Sequence, residues 1–356
     1  MWRRGADPLR WYGPSARPSQ VDELAGAFWR ARHSCVQVGG GQGCRRGRRV
    51  EATEVPTKRS SKGWLMKPQS ERVGAGGKKQ SLLWQELTNT ELEEARDSDY
   101  LVLIPLGAME QHGPHLPVDT DVAIAWAVAQ DVARRLDSTV VAPPIWWGYS
   151  SSHMSFPSTI SLRPQTLLAL LDDIIGSLIS HGFRKIAIVS SHATNRPVGQ
   201  LAVRECAARH GVPILYLHYI DFCRKVFADE RVTGIGGEMH GGEFETSIQL
   251  HLHPELVKMD LAVADYVDPK RHFGISSAGR DLNDAGNVSL GYDIEKLFPT
   301  GVMGDATLAD AKLGARLFEA AVTGIVTALD EYRSHDYGDS ARSSVRLDPD
   351  SWQRRD

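Results

Sequence analysis

Residues Leu101 to Asp121 read LVLIPLGAMEQHGPHLPVDTD, and this stretch decides both the fold class and the chemistry. Leu101 to Leu106 is apolar without alternation and stops at Gly107, the pattern of a strand buried on both faces. Beyond it stand Glu110, His112, His115, Asp119 and Asp121. Glu110 and His112 are two positions apart, so in extended backbone their side chains leave the same face. Carboxylate and imidazole donors suit zinc, manganese or iron rather than copper(I) or an iron–sulfur cluster. A polar loop after a strand would explain one such pair. Five metal-capable groups within twelve positions, stiffened by Pro114 and Pro117, point instead to a metal site.

Outward from this stretch, strand and helix patterns alternate. A short helix at Leu83–Arg96, with Thr88–Glu91 or Thr90–Glu93 as its capping arrangement, precedes the strand. Helix Val122–Leu136, strand Thr139–Ala142, a long loop from Trp146 to Leu162 and helix Pro164–His181 follow. Strand Lys185–Ser190, helix Pro197–His210 and strand Pro213–Leu217 come next. Past the glycine-rich Gly234–Gly242, a helix covers Phe244–Leu252, and a last one runs from Asp305 to Tyr332. This order predicts an α/β fold, a three-layer sandwich around a mostly parallel sheet. In such sheets chemistry collects outside the carboxyl ends of the strands. There is no internal repeat, no GxGxxG and no P-loop.

The chain has 356 residues, 42% hydrophobic and 24% charged, the composition of an ordinary globular protein. Its net charge of −3 conceals two unlike parts: residues 1–80 hold 17 Lys and Arg against 6 Asp and Glu, and the remainder 24 against 38. Residues 1–80 show no sustained periodicity and are rich in Gly, Arg, Ser and Pro, so disorder is expected there. An inert extension, with translation beginning at a later methionine such as Met66, is a simpler reading than a nucleic-acid-binding arm or a transit peptide. Residues 81–335 form the expected catalytic domain, and 336–356 a polar tail. The acidic body argues against nucleic acid as a partner. No apolar run approaches the roughly 20 residues needed to span a bilayer, so no membrane partner is expected. Cys35, Cys44, Cys206 and Cys223 lack CxxC spacing; free thiols place the chain in the cytoplasm, with Cys206 in the core.

The loops after successive strands supply further candidates. His192 follows Lys185–Ser190 where a helix begins, and His240 precedes Gly241-Gly242 at another turn into a helix; small neighbours permit close approach of backbone and substrate. His181, His210 and His272 are isolated, surface or helix-end residues, and His251 and His253 suit capping. His218 remains open. The long loop contributes Tyr149, His153 and Phe156. Together with Trp146 and Trp147 its aromatics could wall a pocket for a flat substrate, or belong to core or subunit contacts.

LIPLGAMEQHGPHLPVDTD, FPSTISL (Phe156–Leu162), VSSHATN (Val189–Asn195) and HGGEFETS (His240–Ser247), in this order, resemble the creatininase family of metal-dependent amidohydrolases over residues 83–332. The resemblance implies two divalent ions per subunit (zinc, manganese or iron), with Glu110 and His192 on one, His112 on the other and Asp121 bridging. A bridging water would be the nucleophile, and His240 would move protons. Glu245 matches the glutamate of the family's Glu-Thr-Ser run, as a catalytic residue, a ligand or a partner to one. Thr194 departs from the pattern, since creatininase itself has a metal-binding glutamate there; the second metal then draws on Glu243 or Glu245, or is weakly held. Thr194, His153, Tyr149 and Trp147 are the candidate substrate contacts. Ile235–Met239 lacks the Trp-Asp pair that grips creatinine, so another small substrate is expected. Hydrolysis of an amide-type C–N bond is the favoured reaction. Hydrolysis of a cyclic carbonyl compound of sugar metabolism, or isomerase or lyase chemistry on the same centre, are the alternatives. The family also implies a homo-oligomer, of hexameric size.

Overall fold

The computed structural model describes residues 71–73, 79–286, 288–335 and 337. Of the expected N-terminal extension, residues 71–73 and 79–80 fall in a small hairpin of β1 (Glu71–Val73) and β2 (Lys79–Ser81). The rest of 1–80, and the tail at 336–356 apart from Tyr337, lie outside the described residues.

The chain then runs through helix α1 (Asn89–Asp97), β3 (Leu101–Leu106), α2 (Thr120–Arg135), β4 (Thr139–Val141), α3 (Pro164–Ser180), β5 (Lys185–Ser190), α4 (Arg196–His210), β6 (Ile214–His218), α5 (Ile220–Glu230), β7 (Glu238–His240) and α6 (Glu243–Leu252). Short elements follow: β8 (Ala264–Asp265), α7 (Pro269–His272), β9 (Ala278–Asp281), β10 (Asp284–Gly286), α8 (Ile294–Leu297) and β11 (Met303–Asp305), before the long α9 (Ala311–Ser334). The main sheet has the order β4-β3-β5-β6 with every pairing parallel. A separate antiparallel sheet has the order β7-β11-β8.

Alternation along β3 divides the core. Leu101 and Leu103 join one cluster with Val128 and Val132 of α2, Phe227 of α5, Phe244 of α6 and Leu317 of α9. Val102 and Ile104 point the other way, toward Leu171 and Ile175 of α3 and Ala202 of α4. Helices therefore cover both sheet faces, the three layers expected. Pro105 sits inside this central strand, where proline is unusual. Its carbonyl accepts from Ile145 N–H on the β4 side, and β4 has already ended at Val141, so the missing N–H costs no ladder bond.

The first helix starts later than the periodicity suggested, after a 3₁₀ turn at Trp84–Glu86, because Thr88 and Glu91 form a reciprocal capping box. The last helix begins at Ala311 rather than Asp305; Asp310 caps it, accepting Leu313 N–H at 3.3 Å, and Met303–Asp305 is a strand instead. α5 is an addition. Ile220, Cys223 and Phe227 are its buried stripe, but only Tyr219 separates it from β6, so no turn residue marks its start. Cys206 and Cys223 are buried free thiols within the core. No described helix is long and apolar enough to cross a membrane.

Candidate metal centre

β3 and β5 lie in register, with Leu106 opposite Ser190, so the loops leaving their carboxyl ends emerge side by side. A Cβ on Gly107 would come within 2.6 Å of the Val122 backbone; glycine there lets the strand end abut the start of α2. The loop then folds back, Glu110 N–H donating to the Val118 carbonyl at 3.0 Å. This places Glu110 and His112 beside Asp121, which occupies the first turn of α2, and His192, which follows β5. His240 and Glu245 arrive from elsewhere, at the end of β7 in the small sheet and in the first turn of α6. Gly241 between them is left-handed, at φ 63°, a conformation glycine takes without steric cost.

The ligand atoms of Glu110, Asp121 and His192 lie within 4.8 Å of one another, as do those of His112, Asp121 and Glu245, and those of Glu110, His112 and His240. Asp121 Oδ2 is 3.2 Å from His192 Nδ1 and 3.9 Å from His112 Nε2. Glu110 Oε2 is 3.3 Å from His192 Nε2, and Glu245 Oε2 is 3.8 Å from His112 Nε2. His112 Nδ1 donates to the Glu110 carbonyl at 3.1 Å, which leaves Nε2 with a lone pair facing the two carboxylates. Both Glu110 oxygens, His112 Nε2 and Asp121 Oδ2 are buried without a hydrogen-bond partner. Lone pairs gathered in a dry site are costly alone and are satisfied together by a cation, so these residues fit divalent metal.

The protonation states carry the same message. Burial, reinforced by Asp121, pushes the Glu110 carboxyl up to about 7. Burial, then His240, holds His112 down to about 3. Burial also works against charge on His192, but Glu110 and Asp121 outweigh it and raise the imidazole to about 10. Among protein groups alone, the proton on His192 stands where positive charge is wanted.

Several expected residues fall elsewhere. Glu243 is not a ligand: its carboxylate accepts the N–H groups of Val232 and Thr233 at 2.8 and 2.9 Å and the Thr233 hydroxyl at 2.5 Å. Two residues apart on a helix face nearly opposite ways, so α6 can offer only one of Glu243 and Glu245 to the centre. Glu245, for which a catalytic role, a ligand role and a place beside a ligand were all open, stands among the candidate ligand atoms. His115 and Asp119 are buried but outside every ligand group; His115 Nε2 pairs with Thr246 Oγ1 at 2.8 Å. The Tyr149 ring packs against the α3–α4 core rather than lining the centre, and its carbonyl, not its ring, faces His192 Nε2 at 3.0 Å. Thr194 donates its hydroxyl to that same carbonyl and abuts His192. His153 is buried with Nε2 3.6 Å from Glu110 Oε1, and Trp147 is 46% exposed. His218 is buried with neither nitrogen hydrogen-bonded, and burial holds it down to about 3.

Sequence reasoning missed the support of the loop before His240. Asp281 accepts Arg231 at 2.6 and 2.8 Å and the N–H groups of Gly236 and Glu238 at 3.0 and 3.3 Å. Buried Glu238 accepts Phe244 N–H at 2.5 Å at the head of α6. Neither residue belongs to a motif.

A buried carboxylate and imidazole donor set at the strand ends of an α/β sheet is what a metal-dependent enzyme requires. The family described as creatininase, creatinine amidohydrolase, matches residues 85–329. The creatinine amidohydrolase of Pseudomonas putida is 32% identical over 267 residues, covering 69% of this chain and 95% of that protein. The mycofactocin precursor peptide peptidase of Mycobacterium ulcerans (strain Agy99) is 32% identical over 236 residues, 64% of this chain and 84% of that one. A 3-dehydro-scyllo-inosose hydrolase of Thermotoga maritima is 28% identical over 250 residues, 67% of this chain and 79% of that protein. Among solved structures, a manganese creatininase superposes with a TM-score of 0.60 at 29% identity, covering 72% of this chain and all of that one. A Zn-Zn creatininase mutant gives a TM-score of 0.59 with the same identity and coverage. The chain belongs to the creatininase family, and it is an amidohydrolase-type enzyme.

Proposed function

We propose that the chain is a two-metal hydrolase that cleaves an amide-type C–N bond in a small molecule or short peptide. The observation that carries this reading is the position of Asp121, whose Oδ2 faces His192 on one side and His112 on the other. One metal would be held by Glu110, Asp121 and His192, the other by His112, Asp121 and Glu245. Glu245 thereby takes the role that Thr194 cannot fill. Two divalent ions held this way supply Lewis acidity and lower the pKa of a shared water. The protein's own part is to hold the ligands, exclude bulk water and move a proton. His240 suits the last task, because its Nδ1 stands 3.6 Å from Glu110 Oε1, against the ligand set.

The absence of a Trp-Asp pair in Ile235–Met239 and the presence of Thr194 argue against creatinine as substrate. Buried His153, beside Glu110, and the exposed Trp146 and Trp147 of the same loop are the side chains that would contact a ring or a peptide terminus. The similarity to an inosose hydrolase keeps one second reading, hydrolysis of a cyclic carbonyl compound. Metal analysis of the purified chain, joined to a screen of lactams, formamides, hydantoins, short peptides and cyclic ketones, tests both. Two metals per chain and a product carrying one added water on a C–N substrate are expected. Turnover confined to cyclic ketones would replace the first reading by the second, and an isomerised product without added water would remove both.

A further inference from the structure

Gln111 lies between two ligand residues, and it is buried with 5% exposure. The orientation of its amide is forced. Oε1 accepts Gly113 N–H at 2.8 Å, and Nε2 stands 3.1 Å from the Gly301 carbonyl. Exchanging the two atoms would set donor on donor and acceptor on acceptor. His240 Nε2 lies 2.7 Å from the backbone carbonyl of Gln111, and a carbonyl only accepts, so that nitrogen carries a proton. The 3.2 Å approach of Gln111 Nε2 to His240 Nε2 is then a contact between two donors, not a hydrogen bond. The two amide protons of Gln111 go instead to Gly301 and to His153 Nδ1, 3.0 Å away. His153 Nδ1 is therefore an acceptor, and its ring proton sits on Nε2.

We propose that Gln111 is a positioning residue that fixes the tautomers of both histidines, its backbone carbonyl setting His240 and its side-chain amide setting His153. Glu110 Oε1 then meets His153 Nε2–H from one side and His240 Nδ1 from the other, each at 3.6 Å. With Nε2 committed to the Gln111 carbonyl, Nδ1 is the His240 nitrogen turned toward the ligand set, where it serves turnover. This consequence for turnover rests on the hydrolase reading; the tautomers do not. Gly301 makes the arrangement possible. It is left-handed at φ 81°, and a Cβ there would fall 1.8 Å from Gln111 Oε1.

The test is two-dimensional proton–nitrogen correlation of the histidine rings in the full-length, zinc-loaded chain labelled with ¹⁵N-histidine. The two rings are assigned by their loss in His153→Gln and His240→Gln. Both are expected as Nε2–H tautomers in the unsubstituted chain. In Gln111→Glu the side chain no longer offers His153 a proton, so that ring is expected to shift to Nδ1–H or to the doubly protonated form. Gly301→Ala, which displaces the amide, should give His153 the same change. Turnover in Gln111→Glu should fall roughly 10- to 100-fold, the range for partners that orient metal-site groups, with KM little changed. An Nδ1–H tautomer on either ring of the unsubstituted chain overturns the proposal, as does a folded Gln111→Glu chain whose His153 stays Nε2–H. The expected tautomers in a chain that hydrolyses nothing would uphold Gln111 and remove the hydrolase reading; the reverse pairing would remove Gln111 alone.

Discussion

Asp121 is the residue on which the proposed centre depends, since its carboxylate belongs both to the group with Glu110 and His192 and to the group with His112 and Glu245. Asp121→Ala is expected to lose both metals and all activity together, measured by metal analysis after gel filtration; retention of two metals per chain would refute the shared role. Glu243 and Glu245 offer a sharper contrast. Glu245→Gln should lose one metal equivalent, whereas Glu243→Gln should keep both and lower stability by about 1–3 kcal/mol, because it unbalances three hydrogen bonds to a buried carboxylate. Metal uptake should also depend on pH in a definite sense. His192 is pushed up to about 10, so at neutral pH an entering cation must expel its proton. Affinity should therefore rise with pH, by roughly tenfold per pH unit for one proton released. Below the Glu110 value of about 7 a second proton joins the competition and steepens the dependence. Zinc affinity measured at pH 6, 7 and 8 checks the sign.

Among the elements, β3 was legible from its unbroken apolar run, and the sequence also pointed to Glu110, His112, Asp121 and His192, whose donor atoms the fold brings close together. His240 was found through its motif, but its setting was not, because β7 has three residues and pairs with β11 more than sixty positions later. Such non-local pairing leaves no local periodicity. Glu243 was misjudged for a related reason: proximity to a glycine turn cannot say which way the first turn of a helix faces. Arg231 and Asp281 were invisible, since a buried ion pair is defined by its partner across fifty residues. Asp281→Ala should cost about 3–5 kcal/mol by leaving Arg231 buried and unpaired, and should impair turnover through the loop that carries His240. Leu103→Ala in β3 should cost about 2–5 kcal/mol and leave the metal count of the surviving folded chain unchanged. Denaturant unfolding distinguishes the two only when paired with activity.

At the scale of the molecule, the basic 1–80 segment and the acidic remainder are chemically separate. Any salt-sensitive binding of nucleic acid should disappear when residues 1–80 are removed. The candidate ligands come from two sources: Glu110, His112, Asp121 and His192 from the ends of the parallel sheet and α2, Glu245 from α6 beyond the small antiparallel sheet. Cations held by both would tie residue 110 to residue 245, closing a long span of chain as a covalent staple does. Chelation should thus act first as a mechanical release. Amide exchange should quicken at the head of α6 while β3 stays protected, and the site would come apart along the seam between its two halves before the sheet yields.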